Sequence, residues 1–513
     1  MSTQVIFEEF NDVRDMKLSR RVVISGLSSL TVVSALPVSL YQLRGAKAGP
    51  MRKRFDATSP DGKNMLAIYA DAVGKMRDAT TTSESSPSSW TFQWYSHWVN
   101  GDRDKTAELN RVFGTSPSPA KDLANSMWSS CQAHGDDMWL PNFLPWHRAF
   151  VLYFEAIVRQ ISGNDEFSLP YWDYTTDAVI PEEFRQRNDP VYGSLFVENR
   201  NAGVNQGTPI DQIGVPFPDA AFNLDSLKEN DYLEDPSGVP QGFNAKLDSE
   251  LHGFVHVKVG TRTNMGRIPY AARDPIFWLH HCNIDRIWAA WNEFGGSNPA
   301  ADEWVSDQRH VFADQSGNRV EVTNGEMTAT GPLGYTYDKL PPRPTGAGAR
   351  VAEAPSSSET RTGAVVAQTE PLASSQEKVI LGSEPTAVTL SPGPRAAAGP
   401  LSELPGDPSK RRYLVIGNLE TNAQPGVVYN VYAKSGEASE RQPASGRYLG
   451  SIQFFDADPV AGRAARSRRF VFDVTEALAG VPEADRLTYY IVPAGKPESD
   501  AQPAIGSIDL IEK

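Results

Sequence analysis

Eight histidines stand at positions 97, 134, 147, 252, 256, 280, 281 and 310, and none follows His310 in a chain of 513 residues. Leu251-His252-Gly253-Phe254-Val255-His256 sets two imidazoles at i and i+4. On a helix these share one face and can reach one metal ion. The zinc-protease version of this spacing carries Glu after the first histidine as general base; Gly253 stands there instead. No Glu-x-x-His pair supplies the carboxylates of a ferritin-like di-iron site. Asp274-Pro275-Ile276-Phe277-Trp278-Leu279-His280-His281 offers a third imidazole. Adjacent helical residues diverge by about 100°, so His280 and His281 are not expected to face the same metal. A looser group comprises His97 in Trp94-Tyr95-Ser96-His97-Trp98, His134 in His134-Gly135-Asp136-Asp137, and His147 in Pro145-Trp146-His147-Arg148. All-imidazole sites suit copper or zinc. Three histidines and an open position make a catalytic zinc site. Two neighbouring three-histidine sites favour a copper pair, which can cycle between Cu(I) and Cu(II). Taken singly, His97 or His310 reads as a core or surface residue.

The elements that must position these groups are legible in part. Residues 49–340 are rich in Trp and Tyr. They carry helical patterns over Arg148–Glu155 and from Ile276 to Trp291, where Ile284, Ile287, Trp288 and Trp291 recur at helical spacing. Loops rich in Gly and Pro at 199–220 and 234–242 separate them. Residues 341–376 hold Pro, Gly, Ala, Ser and Thr with few large apolar groups, and read as a linker. From 377 the period becomes that of strands. Candidates are Tyr413–Leu419, Val427–Ala433, Tyr448–Phe455, Arg469–Val474, Thr488–Val492 and Ile505–Ile511, with a long loop expected at 392–409. A mainly α domain followed by an antiparallel β-sandwich at 377–513 is the expected fold class.

Composition narrows the function. The formal charge of −14 excludes nucleic acid and acidic membrane surfaces as partners. Two cysteines cannot build a disulfide framework. Ser19-Arg20-Arg21, the mildly apolar run Val22 to Leu40 and Ala46-Lys47-Ala48 together resemble a twin-arginine export signal over residues 1–48. The run is too polar for a membrane span. An exported protein, periplasmic or secreted and not integral to a membrane, is therefore expected, with the twin-arginine machinery as a partner.

Longer motifs carry a resemblance. His134, then Phe143-Leu144-Pro145-Trp146-His147-Arg148-Ala149-Phe150, Leu169-Pro170-Tyr171-Trp172-Asp173-Tyr174, His252-x-x-x-His256 and Asp274 through Trp288 resemble the tyrosinase and polyphenol oxidase family of type-3 copper proteins. Arg469–Val474 and Ile505-Gly506-Ser507-Ile508 more weakly resemble the C-terminal domain of plant-type members. The resemblance implies a four-helix bundle holding a dicopper centre. It implies His97, His134 and His147 on copper A, and His252, His256 and His281 on copper B, with His280 beside them. It also implies O2 as co-substrate, small phenols as substrates, a copper-delivery partner, and oxidation of o-diphenols to o-quinones, with hydroxylation of monophenols in some members. Asp285, one turn after His281, is expected to orient a copper-B imidazole. The C-terminal domain is expected to shield the site. A haemocyanin-like O2 carrier and an o-aminophenol oxidase share these motifs; a His-rich zinc hydrolase is the reading outside the family.

Three departures bear on activity. His134 and His147 stand thirteen positions apart, wider than is usual in the family. Cys131 lies three residues before His134, so a thioether to His134 competes with a buried thiol. Gly253 occupies a position where hydroxylating relatives often have Asn, and Asp248 occupies the place of a Glu base. Asp248 reads equally as a helix N-cap. These residues imply catechol oxidation stronger than phenol hydroxylation. Ile268 aligns with a bulkier gate residue, which implies a more open copper-A entrance.

Overall fold

The computed structural model describes residues 51–131, 141–214, 222–233, 239, 241–344, 370–375, 377–393, 410–434, 446–459, 469–478 and 488–513. The expected export signal, His134, most of the expected linker and most of the 392–409 loop lie outside them. Residues 50–513 form one compact unit. Among the described residues no helix is long and apolar enough to cross a membrane.

The helical part comprises α1 (Pro60–Arg77), α2 (Trp90–His97), α3 (Lys105–Phe113), α4 (Pro119–Met127), α5 (Phe143–Ser162), α6 (Phe243–Leu247), a π turn (Asp248–His252), α7 (Gly253–Val259), α8 (Ile268–Ala271), α9 (Ile276–Glu293) and α10 (Asp302–Val305). Short polar residues start several of them. Ser59 caps α1 through Gly62 N, and Ser89 caps α2 through Phe92 N. Gly163, at φ +69°, ends α5 in the left-handed region that glycine tolerates. The two long helices expected from periodicity are α5 and α9. They pack through Phe154 and Trp278, whose rings stack at 3.5 Å.

A buried ionic node bolts these helices together. Arg148 of α5 donates to Asp285 of α9, and Arg54 bridges Glu155 of α5 (2.8 Å) and Asp285 (3.0 Å). Arg54 lies on a short strand, β1 (Arg52–Arg54), which pairs in parallel with β4 (Tyr335–Tyr337). Tyr335 and Tyr337 of β4 also donate to Asp285. Burial alone would raise the Asp285 carboxyl, but Arg148 and Arg54 outweigh it and hold the group below the usual carboxylate range. A hairpin of β2 (Arg309–Ala313) and β3 (Arg319–Thr323) completes this part.

The C-terminal part forms two antiparallel sheets. One runs β11 (Arg447–Ile452), β10 (Tyr429–Ala433), β13 (Thr488–Pro493), β7 (Thr386–Thr389). The other runs β12 (Phe470–Asp473), β9 (Arg412–Glu420), β14 (Ala504–Glu512), β5 (Ala373–Ser375), β8 (Ser391–Pro392), with β6 (Val379–Ile380) also on β14. All six strands expected from the sequence are present within a few residues. One boundary is corrected: the expected linker ran to 376, but Ala373–Ser375 pairs with β14 and belongs to the sheet. Its Ala-Ser-Ser sequence has no β-branched or aromatic signal, and its pairing comes from the β14 edge. Leu414, Ile416 and Ile508 from one sheet join Val388, Val431 and Ile491 from the other in one apolar cluster. Val428, Phe455 and Ala494 leave that cluster and pack into the helical core. They are held there by ion pairs Arg267–Asp458 (2.8 Å) and Arg262–Asp500 (2.9 Å).

Candidate metal centre

The histidines reach the site from four helical segments. His97 ends α2, His147 lies in the first turn of α5, His252 and His256 flank the start of α7, and His280 and His281 lie in α9. All six are buried. Ring nitrogens of His252, His256, His280 and His281 lie within 4.8 Å of one another. Donor atoms of His97, Cys131 and His147 form a second group on the same criterion. The two groups touch: the His147 and His281 rings stack at 4.2 Å, nearly parallel. Phe143 lies 4.9 Å from His147 and 4.7 Å from His252. Phe277 lies 5.0 Å from His97 and 4.3 Å from His281. Two phenyl rings thus contact both groups and keep the space apolar.

Three of the tautomers follow from neighbouring groups. His147 Nδ1 is 2.8 Å from Phe143 O, and His256 Nδ1 is 2.8 Å from Met265 O. A carbonyl only accepts, so Nδ1 carries the proton and Nε2 keeps a lone pair. His252 Nδ1 bonds Asp248 O at 3.3 Å, which fixes the same tautomer, and Asp248 Oδ1 lies 2.9 Å away. His256 Nε2 and both nitrogens of His281 are buried without a hydrogen-bond partner. Burial first, then the neighbouring imidazoles, pushes His256, His280 and His281 well down, so all three are neutral. Neutral imidazoles with Nδ1 anchored and a lone pair kept on Nε2 are the form that binds a metal ion. An isolated buried lone pair is costly, so this donor set fits copper.

The π turn sets the spacing of the second group. The turn Asp248–His252, with its extra residue, joins α6 to α7, and the His252 ring lies 5.1 Å from that of His281 on α9. Asp248 is therefore mid-helix and is not an N-cap. Its carboxylate lies against His252, where an orienting group was expected from Asp285. Asp285 does not take that role: Arg54, Arg148, Tyr335 and Tyr337 occupy it. Sequence showed its spacing from His281 but not the distant Arg54. His280 Nδ1 lies 3.1 Å from Tyr174 OH, and its ring stacks on His252. Cys131 is buried with its thiol 3.6 Å from His147 Nε2. Ile268 is fully buried at the start of α8. His310 lies on β2 with Nε2 2.8 Å from Asn324 Oδ1, a core histidine away from both groups.

Sequence reasoning did not single out which C-terminal residues lie against the site. Phe455, just beyond β11, stacks on His256 at 4.2 Å with an interplanar angle of 18°, and lies 5.9 Å from His252. Gln453 donates from Nε2 to Ser249 O at 3.0 Å, inside the π turn. The signal available was an aromatic pair, Phe454-Phe455, at the end of a strand. Nothing in the sequence told which of the two faced the β core.

Comparison with known proteins follows the same lines. The family description "Common central domain of tyrosinase" matches residues 87–225 and 198–294. "Tyrosinase HcTyr1" of Hahella sp. (strain CCB-MM4) is 27% identical over 483 residues, 87% of this chain and 96% of that protein. A chloroplastic polyphenol oxidase of Malus domestica is 25% identical over 491 residues, covering 86% and 81%. Among solved structures, latent apple tyrosinase superposes with a TM-score of 0.58 at 19% identity, over 91% of this chain and 98% of that one. Recombinant latent aurone synthase gives 0.57 at 19% identity, over 91% and 90%. These structures share the arrangement of helical core and sheets.

Proposed function

Because the chain belongs to the tyrosinase and polyphenol oxidase family and is a type-3 copper oxidase, we propose that it oxidises o-diphenols to o-quinones with O2, with monophenol hydroxylation the weaker activity. In this reading His97, His134 and His147 hold copper A, and His252, His256 and His281 hold copper B. Copper held there would supply the redox chemistry between the diphenol and O2. The chain supplies the rest. Phe143 O, Asp248 and Met265 O fix three imidazoles with Nε2 inward. Phe143 and Phe277 exclude water from the shared space. Asp248 lies against His252 and acts as a positioning residue, and Gly253 brings no side chain to assist it as a base. That arrangement favours substrates that lose their protons readily. Ile268 leaves the copper-A side more open than a bulkier side chain would.

A phenol ring would take the place that Phe455 now holds over His256. The C-terminal region is thus a cover, in keeping with the word latent in the names of the apple and aurone enzymes. The chain divides into an export signal (1–48), a helical catalytic domain (49–340) of four-helix-bundle type, a linker ending before Ala373, and a β-sandwich that shields the site. The single observation that carries the function is the parallel contact of His147 and His281, which brings two buried histidine groups together. Oxygen uptake by the copper-loaded chain on paired substrates tests it. Faster uptake with catechols than with the matching phenols is expected. A higher kcat/KM on the phenols contradicts the substrate preference, and O2 binding without turnover of either contradicts the oxidase.

A further inference from the structure

Gly253 opens α7 in ordinary helical backbone, with φ −64° and ψ −35°. It serves no positive φ, and glycine weakens a helix relative to alanine. The reason for it lies outside the helix. A Cβ at position 253 would stand 2.6 Å from Cδ and 3.3 Å from Cγ of Gln453, closer than side chains pack. Gln453 uses that space. Its Nε2 reaches over Gly253 to Ser249 O at 3.0 Å, and its Oε1 accepts the Phe455 N–H. The carbonyl it takes belongs to the π turn, where an extra residue displaces the regular helical partners. Gln241 Nε2 holds the Ser249 hydroxyl at 3.0 Å and Arg469 O at 3.0 Å, tying the same turn to the sheets. One side chain therefore spans three tasks: it fills the gap at Gly253, holds the turn that carries His252, and orders the backbone of the residue stacked on His256.

We propose that Gly253 and Gln453 form the latch of the C-terminal cover: the missing side chain at 253 admits Gln453, and any larger residue there unseats the 453–455 segment. The inference rests on the reading that Phe455 covers the site. It adds that the residue beside His252 is set by the cover that docks on it. The ion pairs Arg267–Asp458 and Arg262–Asp500 lie outside the contact and keep the C-terminal region attached when the latch opens.

Amide hydrogen exchange of the full, copper-loaded chain tests the latch independently of turnover. Gly253→Ala improves helix propensity, so the variant is expected to fold and hold copper. Exchange across 453–455 is expected to rise about tenfold, with a parallel rise in catechol oxidation. Gln453→Ala is expected to do the same, and the double variant no more than either alone, because both act through one contact. Unchanged exchange in Gly253→Ala, or effects that multiply in the double variant, would overturn the latch. Faster exchange with unaltered turnover would support the latch and sink the covering role of Phe455.

Discussion

The two histidine groups meet ring to ring but are built from different material. His97 and His147 project from α2 and α5, among Trp146, Phe143 and Phe277, and His147 is oriented by a carbonyl of its own helix. His252 and His256 take their orientation from a carboxylate in a π turn and from a loop carbonyl, and residues some 200 positions later lie over them. Among the described residues the first group packs against side chains of the helical core. The second is open to a neighbour, and that neighbour is the C-terminal region. In the proposed reading, control of access enters on the His252–His256 side, while the Arg148–Asp285 bolt, one residue after His147 and four after His281, keeps the two groups in register.

Substitutions break this comparison at graded strength. His256→Ala should halve the copper content and lower catechol turnover about 1,000-fold, since one metal cannot do the work of two; full copper content would show that His256 is no ligand. Asp285→Ala strands Arg54 and Arg148 in the core, and should cost about 3–5 kcal/mol in denaturant unfolding. A loss below 1 kcal/mol would refute the bolt. Asp248→Ala should weaken copper affinity on the covered side about 10–100-fold while leaving the His97–His147 side unchanged; titration of the apo chain with copper separates the two. Phe455→Ala should raise oxidation by the full chain about tenfold, a change of about 1.4 kcal/mol, at unchanged copper content. An unchanged rate would remove the cover.

The smallest effect concerns pH. Glu250 lies in the π turn, and burial pushes its carboxyl up to about 7, with Lys246 at 3.8 Å pulling the other way. Its folded value exceeds its unfolded one, so the protonated group favours the fold. The stability it contributes is whole below the unfolded value near 4.3 and is lost as pH rises through 7. Glu250→Gln should therefore flatten the decline of Tm between about pH 5 and 7. Equal slopes in variant and parent would contradict the assignment.

Local signals were legible and distant ones were not. The i, i+4 pair His252/His256, the α5 and α9 periodicities and the six main C-terminal strands are properties of short windows, and each appears as expected. Asp285 differs from its expected role because its partners, Arg54, Tyr335 and Tyr337, are scattered along the chain and meet through the β1–β4 pairing. Asp248 was half-legible: its spacing from His252 is that of a helix face, but the π turn that brings its carboxylate to Nδ1 has no sequence signature. Phe455 and Gln453 act across the interface with the helical core, where neither periodicity nor spacing carries information.

In the proposed reading the two histidine groups hold one coupled copper pair. Metal analysis together with electron paramagnetic resonance of the oxidised, copper-loaded chain tests it most directly. Two coppers per chain with almost no Cu(II) signal are predicted, because two Cu(II) ions bridged within one site cancel each other's spin. Two coppers with a full signal would place the groups too far apart to act as a pair, and a single copper would contradict the account.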